Sequence, residues 1–256
     1  MIAHDPNLEV RLAYSAADLR AAQRLRYKVF VEELDGDGPM VDHDARLETD
    51  VHDEDYDHLI LTDRRLDAGA HNHVVGVYRL MPGDRVGASG FYCSAEYDLG
   101  VLEGSGRKLL ELGRSCLHPR YRGGSAMYLL WQNLASYIQQ RGIEVLFGVA
   151  SFHGTDIEAL APALSLLNDR HLAPDELRVR AIGEGRQRMD LIAPEDIDRR
   201  AATAQIPALI KAYLRLGGFV GDGAFVDRPF NTTDVCLVLD IARMDDKTRA
   251  LYTVAA

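Results

Sequence analysis

A glutamate and an arginine lie three residues apart in an apolar run that is followed at once by a basic, glycine-containing loop. The run is LLELGRSCL at residues 109–117, and the loop is RYRGGS at residues 120–125. A partly buried carboxylate such as that of Glu111 can act as a general base, and the guanidinium of Arg114 can orient that carboxylate or bind an anionic substrate group. The two side chains can equally form a structural ion pair, and the sequence alone leaves both alternatives open.

The loop has the composition of an anion site. Its glycines let a ligand approach the backbone, and a helix predicted to begin near Ser125 would direct its first N–H groups and the positive end of its dipole at that ligand. Arg120 and Arg122 add charged donors that suit a phosphate. The loop has neither the GK[ST] of a Walker loop nor the GxGxxG of a dinucleotide site. Its place between a strand and a helix favours phosphate binding over a purely structural turn.

Periodic apolar runs predict the elements that must position these residues. Strands are predicted at 8–13, 57–63, 71–81, 107–118, 144–151 and 232–241, with 177–182 and 187–192 as two further strands that could pair with each other. Helices are predicted at 16–34 after an N-cap at Ser15, at 125–142 with Gly142 at the C′ position, after an N-cap at Thr155, and at 205–218. The pattern indicates a mixed sheet crossed by helices in one continuous domain.

Charge is concentrated in one segment. The net charge is −10, and residues 32–57 carry twelve acids against one base, Arg46, so the rest of the chain is close to neutral. Such a chain lacks the basic face that nucleic-acid binding requires. The acidic segment is either a solvated loop or a wall that attracts a cationic small substrate.

The remaining composition favours a reduced, cytoplasmic protein. The three cysteines are widely spaced, which argues against a disulfide framework. We expect no signal peptide, because the first ten residues have neither a basic nor an apolar region. The HNH sequence at 71–73 falls in a predicted turn without a third ligand, so we expect no metal site.

Six segments in order resemble the GNAT acyltransferase superfamily, and within it the branch that includes acyl-homoserine-lactone synthases. They are RLRYKVF at 24–30, DHD at 42–44, YDHLI at 56–60, VVGVYRL at 74–80, ELGRS at 111–115 and RYRGGS. Arg120, Gly123 and Ser125 match the RxxGxG/A loop of that superfamily, with serine in place of the last small residue.

The second half of the chain narrows the resemblance. Residues 172–181, 206–227 and 230–239 resemble the ornithine-lipid N-acyltransferases, and the likeness extends from about Arg24 to Leu239. It implies an α/β (α+β) three-layer sandwich with a GNAT-like fold, a mixed central sheet flanked by helices and a C-terminal extension. The whole chain, 1–256, would be a single domain, with a core at about 8–155 and a family-specific part at about 156–256.

The resemblance implies an N-acyltransferase that moves a 3-hydroxy fatty acyl group from acyl carrier protein to the α-amine of L-ornithine and gives lyso-ornithine lipid. The alternatives are the same chemistry on glutamine or another amino acid, an acyl-homoserine-lactone-type synthase, and an inactive module that binds carrier protein or membrane. The donor would be the acyl-phosphopantetheine of the carrier, with no permanently bound cofactor. The protein would be cytoplasmic, with peripheral contact to the inner membrane as a further expectation.

The resemblance also assigns roles to residues. Glu111 would be the base and Arg114 its orienter or a carboxylate ligand, while Cys116 is more simply a core thiol than an acyl acceptor. The phosphopantetheine would be bound by Ser115, Leu117, Arg120, Arg122, Gly123, Gly124 and Ser125. Ornithine would be bound by Arg26, Asp42, Asp44, Asp57 and Arg79. The acyl chain would lie against Phe30, Trp131, Phe147 and Phe152.

Overall fold

The computed structural model describes residues 5–245 of the chain. The helices are α1 (Ala16–Arg26), α2 (Gly100–Glu103), α3 (Ala126–Arg141), α4 (Ile157–His171), α5 (Arg199–Gln205) and α6 (Ala208–Arg215). The strands are β1 (Leu8–Leu12), β2 (Val41–Asp42), β3 (Leu47–Glu48), β4 (Asp57–Asp63), β5 (Val74–Pro82), β6 (Tyr97–Asp98), β7 (Leu109–Leu117), β8 (Val145–His153), β9 (Arg180–Ala181), β10 (Arg186–Gln187), β11 (Phe219–Val220), β12 (Ala224–Asp227) and β13 (Thr232–Asp240). Every strand predicted at 8–13, 57–63, 71–81, 107–118, 144–151 and 232–241 is confirmed.

The described residues form two compact units. Unit 1 contains residues 5–81 and 112–142, and unit 2 contains residues 82–111 and 143–245. Strand β7 therefore contributes its first three residues to unit 2 and the rest to unit 1.

In unit 1, α1 packs its apolar side against the sheet. β4 pairs antiparallel with β1 and β5, and β7 neighbours β5. Residues of α1 and the following turn join residues of β4, β5 and β7 in one buried cluster: Ala21, Ala22, Leu25, Val29, Ile60, Val74, Val77 and Cys116. The predicted N-cap is confirmed, because Ser15 Oγ accepts a hydrogen bond of 3.1 Å from Asp18 N. The predicted helix ends differently, since residues Tyr27–Val31 form a π-helical turn instead of further α-helix.

Helix α3 packs closely on the sheet of unit 1 at Gly76. A Cβ at this position would lie 2.6 Å from Leu117 Cδ2 and 3.0 Å from Leu130 Cδ1, so only glycine fits between the strand and the helix. The helix ends as predicted, with Gly142 in the left-handed conformation at φ 63°. This packing fixes the helix that follows the RYRGGS loop.

In unit 2, β8 is a central strand, as its continuous apolar run predicts. It pairs in parallel with β7 over three residue pairs, of which the last is Glu111 with Phe147. On its other side it pairs antiparallel with β13 along nine residues. β12 and β10 extend this sheet beyond β13, and β11 also pairs with β13.

Two predictions in unit 2 are wrong. Asp156, not Thr155, caps α4, because its Oδ1 accepts hydrogen bonds of 3.1 Å from the N–H groups of the helix's second and third residues. Of the strands predicted at 177–182 and 187–192, only residues 180–181 and Gln187 lie in strands, and these two strands do not pair with each other. β9 pairs with β6 and β10 pairs with β12, so both short strands find partners that are distant in sequence.

No helix within residues 5–245 combines the length and the apolar character needed to cross a bilayer. The apolar stripe of α6 is packed inside unit 2, since Ile210 is 0% exposed and Tyr213 is also buried. Lys211 Nζ donates a hydrogen bond of 3.0 Å to Thr203 O. The stripe is therefore a face of the core.

Candidate active site

Glu111 lies in unit 2 near the start of β7, where the residue is 1% exposed. Its Oε2 accepts a hydrogen bond of 2.9 Å from Tyr92 N, and its Oε1 accepts one of 2.6 Å from Cys93 N. These two amides begin the 3₁₀ turn Tyr92–Ala95. The arrangement holds a buried carboxylate in a fixed orientation.

Arg114 breaks the regular alternation of β7. Its φ of 49° is in the left-handed region, which is uncommon for a residue with a Cβ. A regular strand would direct residues three apart, such as Glu111 and Arg114, to opposite faces. The irregularity at Arg114 interrupts that alternation. Its Nε donates to Glu48 Oε1 at 3.1 Å, and its Nη2 lies 3.2 Å from Asp50 Oδ2.

Arg114 belongs to a cluster of six charged side chains in unit 1, which we call the charge cluster. Its arginines come from α1, β5 and β7, and its acids come from β3 and the segment after it: Arg26, Arg79, Arg114, Glu48, Asp50 and Asp53. Arg26 pairs with Glu48 and, at 2.6 Å, with Asp53. Arg79 pairs with Asp50 and, at 3.1 Å, with Asp53. The three cations and three anions balance in formal charge.

The charge cluster keeps its acids ionised. Burial raises the pKa of Glu48, but Arg114 and Arg26 beside it have the larger combined effect and lower that pKa to about 2. Asp50 and Asp53 respond in the same way, and their pKa values lie below the usual range. The side chains of Arg26 and Arg79 are 0% exposed, whereas that of Arg114 is 12% exposed. Arg114 is therefore the one of these three arginines with access to solvent.

The acidic segment is only partly a solvated loop. Asp42 and Asp44 are exposed, and Asp42 Oδ1 accepts a hydrogen bond of 2.8 Å from Ala45 N. Glu48 and Asp53 are buried in the charge cluster, which the sequence did not indicate. Asp57, at the start of β4, accepts a hydrogen bond of 2.7 Å from Tyr137 on α3. Arg141 of the same helix lies 3.5 Å from Asp57.

The loop predicted to bind phosphate contains residues whose side chains contact other elements and an arginine whose side chain does not. Tyr121 donates a hydrogen bond of 2.6 Å to Asp63 Oδ2, and Arg122 forms a two-bond ion pair with Glu33 at 2.5 and 2.8 Å. The side chain of Arg120 is exposed and makes no hydrogen bond or ion pair within residues 5–245. The loop is therefore held at Tyr121 and Arg122, while Arg120 is available to a ligand.

The glycines and serine of the loop also differ in their constraints. Gly123 has φ 76°, a conformation that favours glycine, and a Cβ at either Gly123 or Gly124 would meet no atom within 4 Å. Packing within the protein therefore does not require glycine at position 124. Close approach of a ligand to the backbone would require it. Ser125 precedes α3 without capping it through its side chain. Ser115 is half-buried and Leu117 is buried at the end of β7.

The four aromatic residues predicted to contact an acyl chain lie in both units. In unit 1, Phe30 is half-buried beside the core cluster under α1, and Trp131 is half-buried on α3. In unit 2, Phe147 and Phe152 are buried on β8, and the ring of Phe147 meets Phe91 edge-on at 4.9 Å. Both phenylalanines of β8 are core residues, and their contact with an acyl chain stays a prediction.

The cysteine and histidine considered from the sequence as a nucleophile and a metal ligand have other contacts in the structure. Burial raises the pKa of the Cys116 thiol to about 12, so a thiolate is disfavoured there. His73 of the HNH sequence lies 3.2 Å from Asp18. Within residues 5–245, one set of three carboxylates has the spacing that a metal ion would need, with oxygens within 4.8 Å of one another: Glu96, Asp227 and Asp234.

Comparison with known proteins decides the family. The GNAT acetyltransferase domain model matches residues 25–132. The L-ornithine N(alpha)-acyltransferase of Rhodobacter capsulatus is 58% identical over 99% of this chain and 97% of its own length. That of Brucella abortus is 42% identical over 98% of this chain and 90% of its own length. This chain belongs to the L-ornithine N(alpha)-acyltransferase family.

The family membership makes the protein an acyltransferase and confirms the predicted GNAT-like fold. The AHL synthase LasI has a similar structure, with a TM-score of 0.50 and 16% identity over 96% of this chain and 94% of that one. At that identity the likeness concerns the fold alone. The resemblance inferred from the sequence motifs is therefore confirmed at the level of family and fold.

Proposed function

We propose that this chain transfers a 3-hydroxy fatty acyl group from acyl carrier protein to the α-amine of L-ornithine and releases lyso-ornithine lipid. The observation that carries the proposal is the 58% identity to the Rhodobacter capsulatus enzyme over 99% of this chain. The exposed Arg120 and the sterically open glycines at 123 and 124 support it, because they suit the phosphate of a pantetheine arm.

The reaction forms one C–N bond and breaks one C–S bond. The neutral α-amine attacks the thioester carbonyl, and the tetrahedral intermediate collapses with loss of the carrier thiolate. The nitrogen must lose a proton and the thiolate must gain one, so no other reactant is needed. Direct attack by the amine also requires no covalent enzyme intermediate, which agrees with the buried, protonated thiol of Cys116.

We assign the proton transfer to Glu111, directly or through one water. Support comes from the burial of this residue and from the hydrogen bonds of Tyr92 N and Cys93 N, which hold the carboxylate in one orientation. Positioned general bases contribute roughly 10²–10⁴-fold to rate. Backbone N–H groups near Ser115 to Leu117 remain our candidates for stabilising the oxyanion and binding the pantetheine amides.

Ornithine has one carboxylate and two amines, so it needs both a cationic and an anionic partner. Among the predicted arginines, we assign the carboxylate to Arg114, because it has solvent access while Arg26 and Arg79 have none. Arg26 and Arg79 then hold the acids that surround Arg114. Asp42 and Asp44 are exposed and stay candidates for attracting the side-chain ammonium.

The donor is tested by direct competition between two thioesters of the same 3-hydroxy acid. Thiol release with L-ornithine is measured for the acyl carrier protein and for coenzyme A as donors. We expect a higher kcat/KM with the carrier protein. Equal or better use of the coenzyme A thioester would contradict the carrier assignment while leaving the acylation of ornithine intact.

A further inference from the structure

Arg122 was expected to bind the phosphate, but most of its donors are already engaged within unit 1. A guanidinium has five N–H donors. Nε and Nη2 of Arg122 both donate to Leu117 O, at 3.2 and 3.1 Å, and Nη1 and Nη2 donate to Glu33 Oε1 and Oε2 at 2.5 and 2.8 Å. Only one N–H, on Nη1, is left for another acceptor. In this arrangement Arg122 cannot offer a phosphate the paired donors that make arginine a strong phosphate ligand.

These bonds close the loop on itself. Leu117 is the last residue of β7, and Arg122 is the residue before Gly123, so the guanidinium joins the two ends of the intervening segment. The same segment contains the 3₁₀ turn Pro119–Tyr121, and its backbone bonds are Tyr121 N to His118 O at 2.9 Å and Arg122 N to Pro119 O at 3.3 Å. Glu33 holds the guanidinium in place from a different element, the segment after α1.

The local charges indicate that Arg120, rather than Arg122, attracts an anion to the loop. The ion pair with Arg122 lowers the pKa of Glu33, and the two charges cancel where they meet. Partial burial lowers the pKa of His118, and the nearby cations Lys28, Arg120 and Arg122 lower it further. Since Glu33 neutralises Arg122, the charge left to attract an anion comes from Lys28 and Arg120.

We propose that Glu33 and Arg122 are positioning residues of the acyl-donor site. Glu33 holds Arg122 on the Leu117 carbonyl, which fixes the loop so that Arg120 and the backbone at Gly123 and Gly124 receive the phosphate. This proposal rests on the proposed function, because it takes the pantetheine phosphate as the ligand of the loop. It assigns Glu33, which the sequence motifs did not indicate, a role in donor binding.

The sign of one effect separates this role from direct phosphate binding by Arg122. If the two residues position the loop, Glu33→Gln raises KM for 3-hydroxyacyl carrier protein by about threefold to tenfold, with kcat changed much less. If Arg122 is a phosphate ligand that Glu33 masks, the same substitution lowers KM. A lowered or unchanged KM would overturn the proposal.

Further variants sharpen the test. Arg122→Lys keeps the charge and would keep much phosphate affinity, but lysine cannot reproduce the four bonds, so we expect a KM as high as in Arg122→Gln. Retention of wild-type KM by the lysine variant would overturn the proposal. The double variant Glu33→Gln/Arg122→Gln should raise KM no further than the stronger single variant, because both substitutions disrupt the same set of contacts that holds the loop. Additive effects would contradict a shared role.

A readout without substrate keeps this test distinct from that of the function. Hydrogen exchange of the amides at 121 and 122 should accelerate in Glu33→Gln, because the loop loses the ion pair that holds Arg122 in place. The matched control is Glu9→Gln, which breaks another exposed pair of unit 1, that with Arg64 at 2.9 Å, and should leave both KM and loop exchange unchanged. Unchanged loop exchange in Glu33→Gln would overturn the positioning role by itself, whereas wild-type protein without transferase activity would overturn the proposed function and, with it, the assignment of the loop to donor binding.

Discussion

Replacing Glu48 with glutamine should strongly destabilise unit 1. Its carboxylate is 0% exposed and contacts both Arg26 and Arg114. The substitution keeps the shape but removes the anion, which leaves the buried guanidinium of Arg26 and the 12% exposed guanidinium of Arg114 short of a counter-charge. Breaking a buried ion pair in this way costs about 3–5 kcal/mol.

The pKa of Glu48 gives a second estimate of the same quantity. It falls from an ordinary 4.5 to about 2 in the folded protein, and one pKa unit corresponds to about 1.36 kcal/mol. The carboxylate therefore contributes about 3 kcal/mol, in agreement with the first estimate. Because the folded pKa is depressed, this contribution is complete above pH 4.5 and is lost as the pH falls towards 2.

The assay is urea unfolding of wild type and Glu48→Gln, followed by the fluorescence of the single tryptophan, Trp131, at pH 7, 5, 4 and 3. At pH 7 we expect a loss of about 3 kcal/mol, or about 6–12 °C in Tm. The difference should shrink below about pH 4.5, since wild type loses the contribution that the variant lacks. Glu9→Gln is the control, and its exposed pair should cost no more than about 1 kcal/mol. A Glu48→Gln variant within about 1 kcal/mol of wild type at pH 7, or a pH-independent difference, would refute this account of the charge cluster.

Three further substitutions test the site and its supporting packing. Glu111→Gln should lower kcat roughly 10²–10⁴-fold and cost about 1–3 kcal/mol, because one N–H of the 92–95 turn loses its acceptor; full activity in a thiol-release assay would return Glu111 to a structural role. Gly124→Ala should leave Tm unchanged, since its Cβ meets no atom within 4 Å, while KM for the acyl donor rises; an unchanged KM would show that no ligand approaches there. Gly76→Ala should cost about 1–3 kcal/mol in urea unfolding, because its Cβ would lie 2.6 Å from Leu117 Cδ2, and wild-type stability would contradict the packing.

Local sequence patterns predicted the elements whose signals are local. The strand at 57–63 has its predicted bounds, and the caps at Ser15 and Gly142 are where residue type places them. Two-residue strands such as β9 and β10 could not be paired from the sequence, since their partners lie far along the chain. The π-helical turn at Tyr27–Val31 has the same apolar spacing as the α-helix before it, so periodicity did not distinguish the two.

The sequence predicted which arginines lie in the candidate site, but it did not predict which carboxylates pair with them. The motifs selected Arg26, Arg79 and Arg114, but their acids lie 22 to 66 residues away in an aperiodic segment. The pairing of Arg122 with Glu33 joins residues 89 positions apart. Such contacts depend on the tertiary fold, and an acidic run gives no indication of which carboxylates will be buried.

Acylation of L-ornithine by this chain can be measured directly. The direct test incubates the purified chain with 3-hydroxyacyl carrier protein and, separately, with L-ornithine, L-glutamine, L-lysine or glycine, and measures both carrier thiol release and the mass of the product. We predict thiol release with ornithine in preference to the other three, and a product with the mass of ornithine plus the acyl group less one water. Release with glutamine in preference to ornithine, or no release with any of the four, would contradict the account.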